Sequence, residues 1–244
     1  MNQYDPRSVG YGQASRAEID EGLRSYMLRV YNYMALGVAF TAIVSLFMMS
    51  QQQLMFAIMG TPIKWVLFAA ILGFGFFSQK LFFSNNQIVG QVAFFSYAGL
   101  WGIWIAPMLL AYLSVDPAMV YRAFFVTAAM FAGMSLFGYT TKKNLSGVGQ
   151  FLVLASIGLF IAILLNVFFF QSGMMQLILS AGMVLVFAGL TAWETQEVKN
   201  MYTAAHSVQA NNQKGVFGAY LLYGSFMIMF IYILQIFGIM GGND

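Results

Sequence analysis

The sequence contains no cysteine and a single histidine, His206. Disulfides, thiolate metal centres and a cysteine nucleophile are therefore excluded, and one imidazole cannot make a histidine-rich metal site. Charge is scarce as well: 8% of the 244 residues are charged, where soluble domains carry roughly 25%. So few charges cannot cover a water-exposed surface. The 11 basic residues and the net charge of +3 form no stripe or cluster, which argues against a nucleic-acid partner. No serine, histidine and acid stand together as a catalytic set, so neither an enzymatic activity nor a cofactor is expected. Residues 1–26 lack the early apolar core of a cleavable signal peptide. They read as a polar tail, with Ser15 and Glu18 at the spacing of a helix-capping box.

Apolar sequence fills the rest: 60% of the chain is hydrophobic and its mean hydropathy is +0.75. About 20 apolar residues cross a hydrocarbon core ~30 Å thick. Seven segments approach that length, at 27–49, 63–83, 89–113, 118–139, 148–170, 174–193 and 216–240. The breaks carry turn residues: glutamines 51–53 followed by Thr61-Pro62, Ser84-Asn85-Asn86, Asp116-Pro117, residues 140–146, Gln171-Ser172-Gly173, and the longest, 194–214. Backbone groups in lipid must be satisfied within their own segment, and no two-residue alternation marks barrel strands. The expected fold is all-α, a seven-transmembrane-helix bundle over 27–240 with a cytoplasmic tail at 1–26 and a short tail at 241–244. Arg7, Arg16, Arg24, Arg29, Lys80, Lys142, Lys143, Lys199 and Lys214 fall on one side of such a bundle, with Lys64 and Arg122 on the other. Basic loops stay in the cytoplasm, so the amino terminus is expected inside and the carboxyl terminus outside.

Carboxylates within or beside membrane spans are costly and usually functional. Glu194 and Glu197 qualify, in the segment AWETQEVKNMY, where a spacing of three places them near one helix face. Lys199 lies five residues beyond Glu194, out of pairing register, so Glu194 is the acid expected to point into the bundle. Lys80, between two aromatic pairs in FFSQKLFF, is either a snorkelling lysine or an ion-pair partner for Glu194 at a similar depth. Gly99, Gly102 and Ala106 form a smooth stripe suited to close helix packing in lipid. Asn166 and Gln235 read as interhelical hydrogen-bonding groups. The 18 methionines show no histidine company or recurrent spacing and read as apolar filler, not a copper site.

The loop TTKKNLS at 140–146, the AWETQEVK segment and the closing YILQIFGI at 232–239, following seven spans and a hydrophilic amino terminus, resemble the bacterial branch of the Bax inhibitor-1 family. The likeness runs from about residue 24 to residue 240. It implies a bundle built around a central hydrophobic helix, an inner-membrane location, and a pH-sensitive calcium leak controlled by two aspartates in the sixth and seventh spans. The first belongs to a tyrosine-aspartate-x-glutamine pattern, matched here by Trp193, Glu194, Thr195 and Gln196, so the acid survives with one more methylene. The second aligns with Ser225 in LLYGSFMIMF, where the acid is absent, and Gln235 stands where the family has arginine. Two adjacent carboxylates titrate as a coupled pair; a carboxylate facing a hydroxyl does not, and a weaker, shifted or absent pH response is expected.

The resemblance thus places a gate at Glu194 and Ser225, with Thr195, Gln196 and Gln235 as supporting groups, to which the residue pattern adds Lys80 and Glu197 as candidate ion-pair or supporting groups. Calcium needs several oxygen ligands, and one carboxylate with hydroxyls and carbonyls makes a weak site, which conduction requires. The alternative is a non-conducting membrane regulator that binds a membrane protease or a stress-response partner. A secondary transporter is disfavoured, since no inverted repeat or proline-broken helix pair is visible.

Overall fold

A computed structural model describes residues 6–84, 86–205 and 207–241, with side chains from residue 21 onward except at position 87. His206 lies outside the described residues. Eight α-helices follow one another: α1 (Pro6–Ser50), α2 (Gln52–Met59), α3 (Ile63–Phe82), α4 (Gln87–Val115), α5 (Pro117–Thr140), α6 (Ser146–Leu165), α7 (Gly173–Met201) and α8 (Val208–Gly241). Seven of them, all but α2, are long and apolar enough to cross a membrane, as the hydropathy predicts. Phe76 is 88% exposed on the outer surface, and Phe77, Phe125 and Phe169 are exposed as well. Rings displayed in this way suit hydrocarbon and would aggregate in water.

Local chemistry sets the helix ends. Asp116 caps α5 by accepting from Ala118 N at 2.9 Å, and Pro117 occupies the first turn, where a missing N–H costs nothing. Asn86 accepts from Ile88 N at 3.0 Å at the start of α4. α6 runs on into a π-helical turn, Asn166–Phe170, closed by Gln171 N donating to Asn166 O at 2.6 Å. Gln171 then takes a left-handed φ of 50°, uncommon for a residue with a Cβ. The Asn166 side chain holds that turn, accepting from Ser172 N at 3.1 Å and donating to Ser172 O at 3.2 Å.

Three expectations are corrected. The break at 51–62 contains α2, whose Met55 is fully buried against Met48 and Ala106; eight residues are too few to span. The break at 194–214 shrinks to 202–207, because α7 and α8 project past the apolar zone and are tied down there. Lys199 Nζ donates to Tyr139 O at 2.8 Å, and Gln213 Nε2 to Ser84 O at 2.5 Å. Ser15 does not cap a helix, since the α1 backbone is already helical from Pro6.

α8 is the centre of the bundle. It packs against α1, α3, α4, α5 and α7, and Leu222, Tyr223, Met229 and Leu234 on it are fully buried. α6 leans chiefly on α7 at the periphery. The small-residue stripe of α4 faces α1: a Cβ at Gly102 would stand 2.7 Å from Val44 Cβ and 2.9 Å from Thr41 O. That proximity lets Ser45 Oγ donate to Gly102 O at 2.9 Å. Thr41 Oγ1 lies 2.9 Å from Gly37 O and 3.0 Å from Ala98 O. Its one proton serves those carbonyls, so the Tyr223 hydroxyl, 2.6 Å away, donates to Thr41 and ties α8 into the α1–α4 seam.

Candidate functional site

Glu194 lies on α7 about two turns before its basic end, and its carboxylate is directed at the central helix. Ser225 Oγ donates to Glu194 Oε2 at 2.6 Å, within the usual range for a hydroxyl donating to an oxygen. Ser225 is buried and Glu194 partly buried. Among the described residues no lysine or arginine pairs with this carboxylate. Tyr97 of α4 and Tyr220 of α8, with ring centroids 4.9 Å apart, lie near this carboxyl group.

The residues beside Glu194 face other ways and do different work. Thr195 is fully buried toward α5. It donates to Thr191 O at 2.7 Å, so it must accept from Ser135 Oγ at 3.0 Å, and Ser135 in turn accepts from the Tyr31 hydroxyl at 2.7 Å. This relay joins α1, α5 and α7. Gln196 clasps the α5–α6 loop: its Nε2 donates to Lys143 O and its Oε1 accepts from Leu145 N, both at 2.8 Å. Glu197 accepts from Ser146 Oγ at 3.4 Å. The TTKKNLS and WETQE segments, quoted separately from the sequence, are thus one structural unit. Trp193 completes it by lying over Gly149 of α6, in contact with the glycine Cα face that a side chain would fill.

Lys80 and Gln235 stand apart from this cluster. Leu67, Ile71, Ser78 and Phe82 form the buried face of α3. Lys80 lies roughly 180° around the helix from Ile71 at 100° per residue, and it is exposed. It forms no ion pair with Glu194. Gln235 is ten residues along α8 from Ser225, about 15 Å at 1.5 Å per residue. It accepts from Gln176 Nε2 at 2.9 Å and Ser180 Oγ at 3.2 Å, a polar seam between α7 and α8 in the opposite half of the bundle. Asn166 joins that seam through Gln176 Oε1 at 3.2 Å.

Sequence reasoning missed Tyr97, Tyr220, Tyr31 and Ser135. The available signal was that a tyrosine inside an apolar span must find a partner for its hydroxyl or lie near an aqueous path. Among the described residues no three histidine, cysteine, aspartate or glutamate side chains cluster. The Glu194 and Ser225 oxygens therefore fall short of the six to eight ligands, about, of a tight calcium site.

A family model described as inhibitor of apoptosis-promoting Bax1 matches residues 23–242. Protein RP147 of Rickettsia prowazekii is 34% identical over 219 residues, covering 90% of this chain and 91% of the relative. The inner membrane protein YbhL of Escherichia coli is 33% identical over 220 residues, covering 89% and 92%. Protein YrjE of Lactococcus lactis is 36% identical over 226 residues, covering 91% and 94%.

Proposed function

The chain belongs to the Bax inhibitor-1 family, and on that footing we propose that it is a passive calcium leak of the inner membrane, gated at Glu194 and Ser225. The observation that supports this reading is the 2.6 Å hydrogen bond from Ser225 to Glu194. It latches α7 to the central helix through the one carboxylate directed at α8. While the latch is closed, the hydroxyl proton occupies the position a cation would take. When a cation arrives, the hydroxyl rotates and offers its lone pairs beside the carboxylate. Two side-chain oxygens and nearby carbonyls hold a divalent ion weakly enough for it to leave again.

Glu194→Gln in liposomes tests the reading. Glutamine accepts the same hydrogen bond from Ser225, so the bundle should fold as before and only the charge is lost. Attraction between unit charges 4 Å apart is about 4 kcal/mol at an effective dielectric of 20, and 1.4 kcal/mol is a factor of about ten. Calcium flux is therefore expected to fall at least about tenfold. Equal flux in both proteins removes Glu194 as a gate. A purified protein that carries no flux, and that co-purifies with a membrane protease, favours the alternative of a non-conducting regulator.

The proposed orientation, with the amino terminus cytoplasmic, rests on the order of basic residues in the sequence, nine of which fall on one side of seven successive spans and two on the other. The absence of native cysteine makes it simple to test. Single cysteines at Gly10 and Gly242 should react with an impermeant maleimide from opposite faces of sealed vesicles. Labelling of both from one face would contradict seven crossings.

A further inference from the structure

A groove of about 580 Å³ runs between α1 and α5. It exists because each helix packs elsewhere, α1 on α4 and α8, and α5 on α4, α7 and α8. One wall is a single helical stripe of α1: Arg24, Met27, Leu28 and Tyr31, at intervals of three and four. The facing wall is the matching stripe of α5: Ala132, Ser135, Leu136 and Tyr139. The polar atoms on its floor are already paired, since Tyr31 bonds Ser135 at 2.7 Å and Ser135 bonds Thr195 at 3.0 Å. The floor therefore has little to offer water, and the volume is several times the ~150 Å³ apolar cavity that stays dry and takes up benzene.

The mouth is different in kind. Arg24 is exposed there and has no ion-pair partner among the described residues. The antiparallel register set by the Tyr31–Ser135 bond brings exposed Lys142 to the same level. Behind the mouth, the Lys199 ammonium stands 4.8 Å from the centroid of the Tyr139 ring. An apolar slot opening to lipid along its length, with cations at its aqueous end, matches a phospholipid in both polarity and charge. Basic residues near a membrane surface attract anionic headgroups, and basic pockets between spans hold them.

We propose that this groove holds one acyl chain of an anionic phospholipid from the leaflet at the basic end of the bundle, with the lipid phosphate against Arg24 and Lys142. The site is independent of conduction: it would be occupied whether or not the protein leaks cations. Its floor does touch Thr195, next to Glu194, so occupancy braces α7 at the level of the gate.

The test uses the full chain. In native mass spectrometry with graded phosphatidylglycerol and phosphatidylcholine, one phosphatidylglycerol should be retained in preference. Arg24→Gln should reduce that preference about fivefold, the factor for one basic residue near an anionic surface. Ala132→Phe should displace the lipid, and because Ala132 is exposed in the groove wall the substitution leaves the core untouched. A photo-crosslinking benzophenone residue at position 136 should capture lipid in native membranes. Capture of the chain's own amino-terminal residues or of a second copy, or lipid selectivity unchanged in both variants, would overturn the proposal.

Discussion

Ser225→Asp is expected to leak calcium with a steeper pH dependence near neutrality than the unsubstituted protein. The Ser225 hydroxyl already stands 2.6 Å from Glu194 Oε2, and aspartate places a carboxyl oxygen at or inside that distance. Two carboxylates so close cannot both ionise cheaply, so they must share a proton or move apart. Exchange of one proton that decides whether α7 and α8 stay latched gives up to about a tenfold change in flux per pH unit. Glu194→Gln in the same background leaves no acid pair and should flatten the profile again. A Ser225→Asp protein whose flux varies with pH no more steeply than its parent's would show that the pair is not on the conduction path.

The largest structural effect is expected at Gly138. Its Cα presses on the Ala192 backbone of α7, and any Cβ there would run into the Ala192 carbonyl oxygen, carbon and Cα. Backbone cannot swing aside as a flexible side chain can. Overpacking a well-packed contact costs roughly 1–3 kcal/mol, occasionally more, and here α5 would have to leave α7, breaking the Ser135–Thr195 bond and the loop clasp of Gln196 with it. Gly138→Ala should lower the melting temperature in detergent markedly, and Gly138→Leu should prevent recovery of folded protein. Gly133, on the same helix, has open space where a Cβ would go. Gly133→Ala should be neutral or stabilising by up to about 1 kcal/mol, as for glycine replaced within a helix. Equal destabilisation by the two alanine substitutions would mean that helix propensity, and not the α5–α7 contact, governs both.

The seven spans are readable from composition because a long apolar run in lipid has one solution, a helix that satisfies its own backbone. Glu194 is readable as inward-facing for a related reason: among so few acids, one carried into a span must find a polar partner. What depth cannot supply is direction around the helix. The aromatic neighbours of Lys80 suggested a depth shared with Glu194, yet the buried Leu67, Ile71, Ser78 and Phe82 put it on the far side of α3. Gln235 shows the converse. Its burial between helices was readable, but the resemblance attached it to a site about 15 Å away along α8. α2 was hidden because six apolar residues between turn signals look like a loop until Met48 and Ala106 are seen to cover Met55. The Tyr31–Ser135–Thr195 relay joins three helices, and no spacing within one segment could announce it.

The position of α8 bears on how the protein comes into being. Half of its most apolar window is buried, against 11% for α6, yet among the described helices it is the last to leave the ribosome. Until residues 208–241 are inserted, Phe94, Tyr97 and Val198, all at the core, face lipid or one another around an absent axle. Helices in a bilayer associate by packing, without a hydrophobic push from water. The contacts between the earlier spans and this central helix are thus the last to form. A premature stop within α8 would leave the bundle without its axis, and the membrane's proteolytic surveillance would meet an unfinished bundle, not a slightly shortened one.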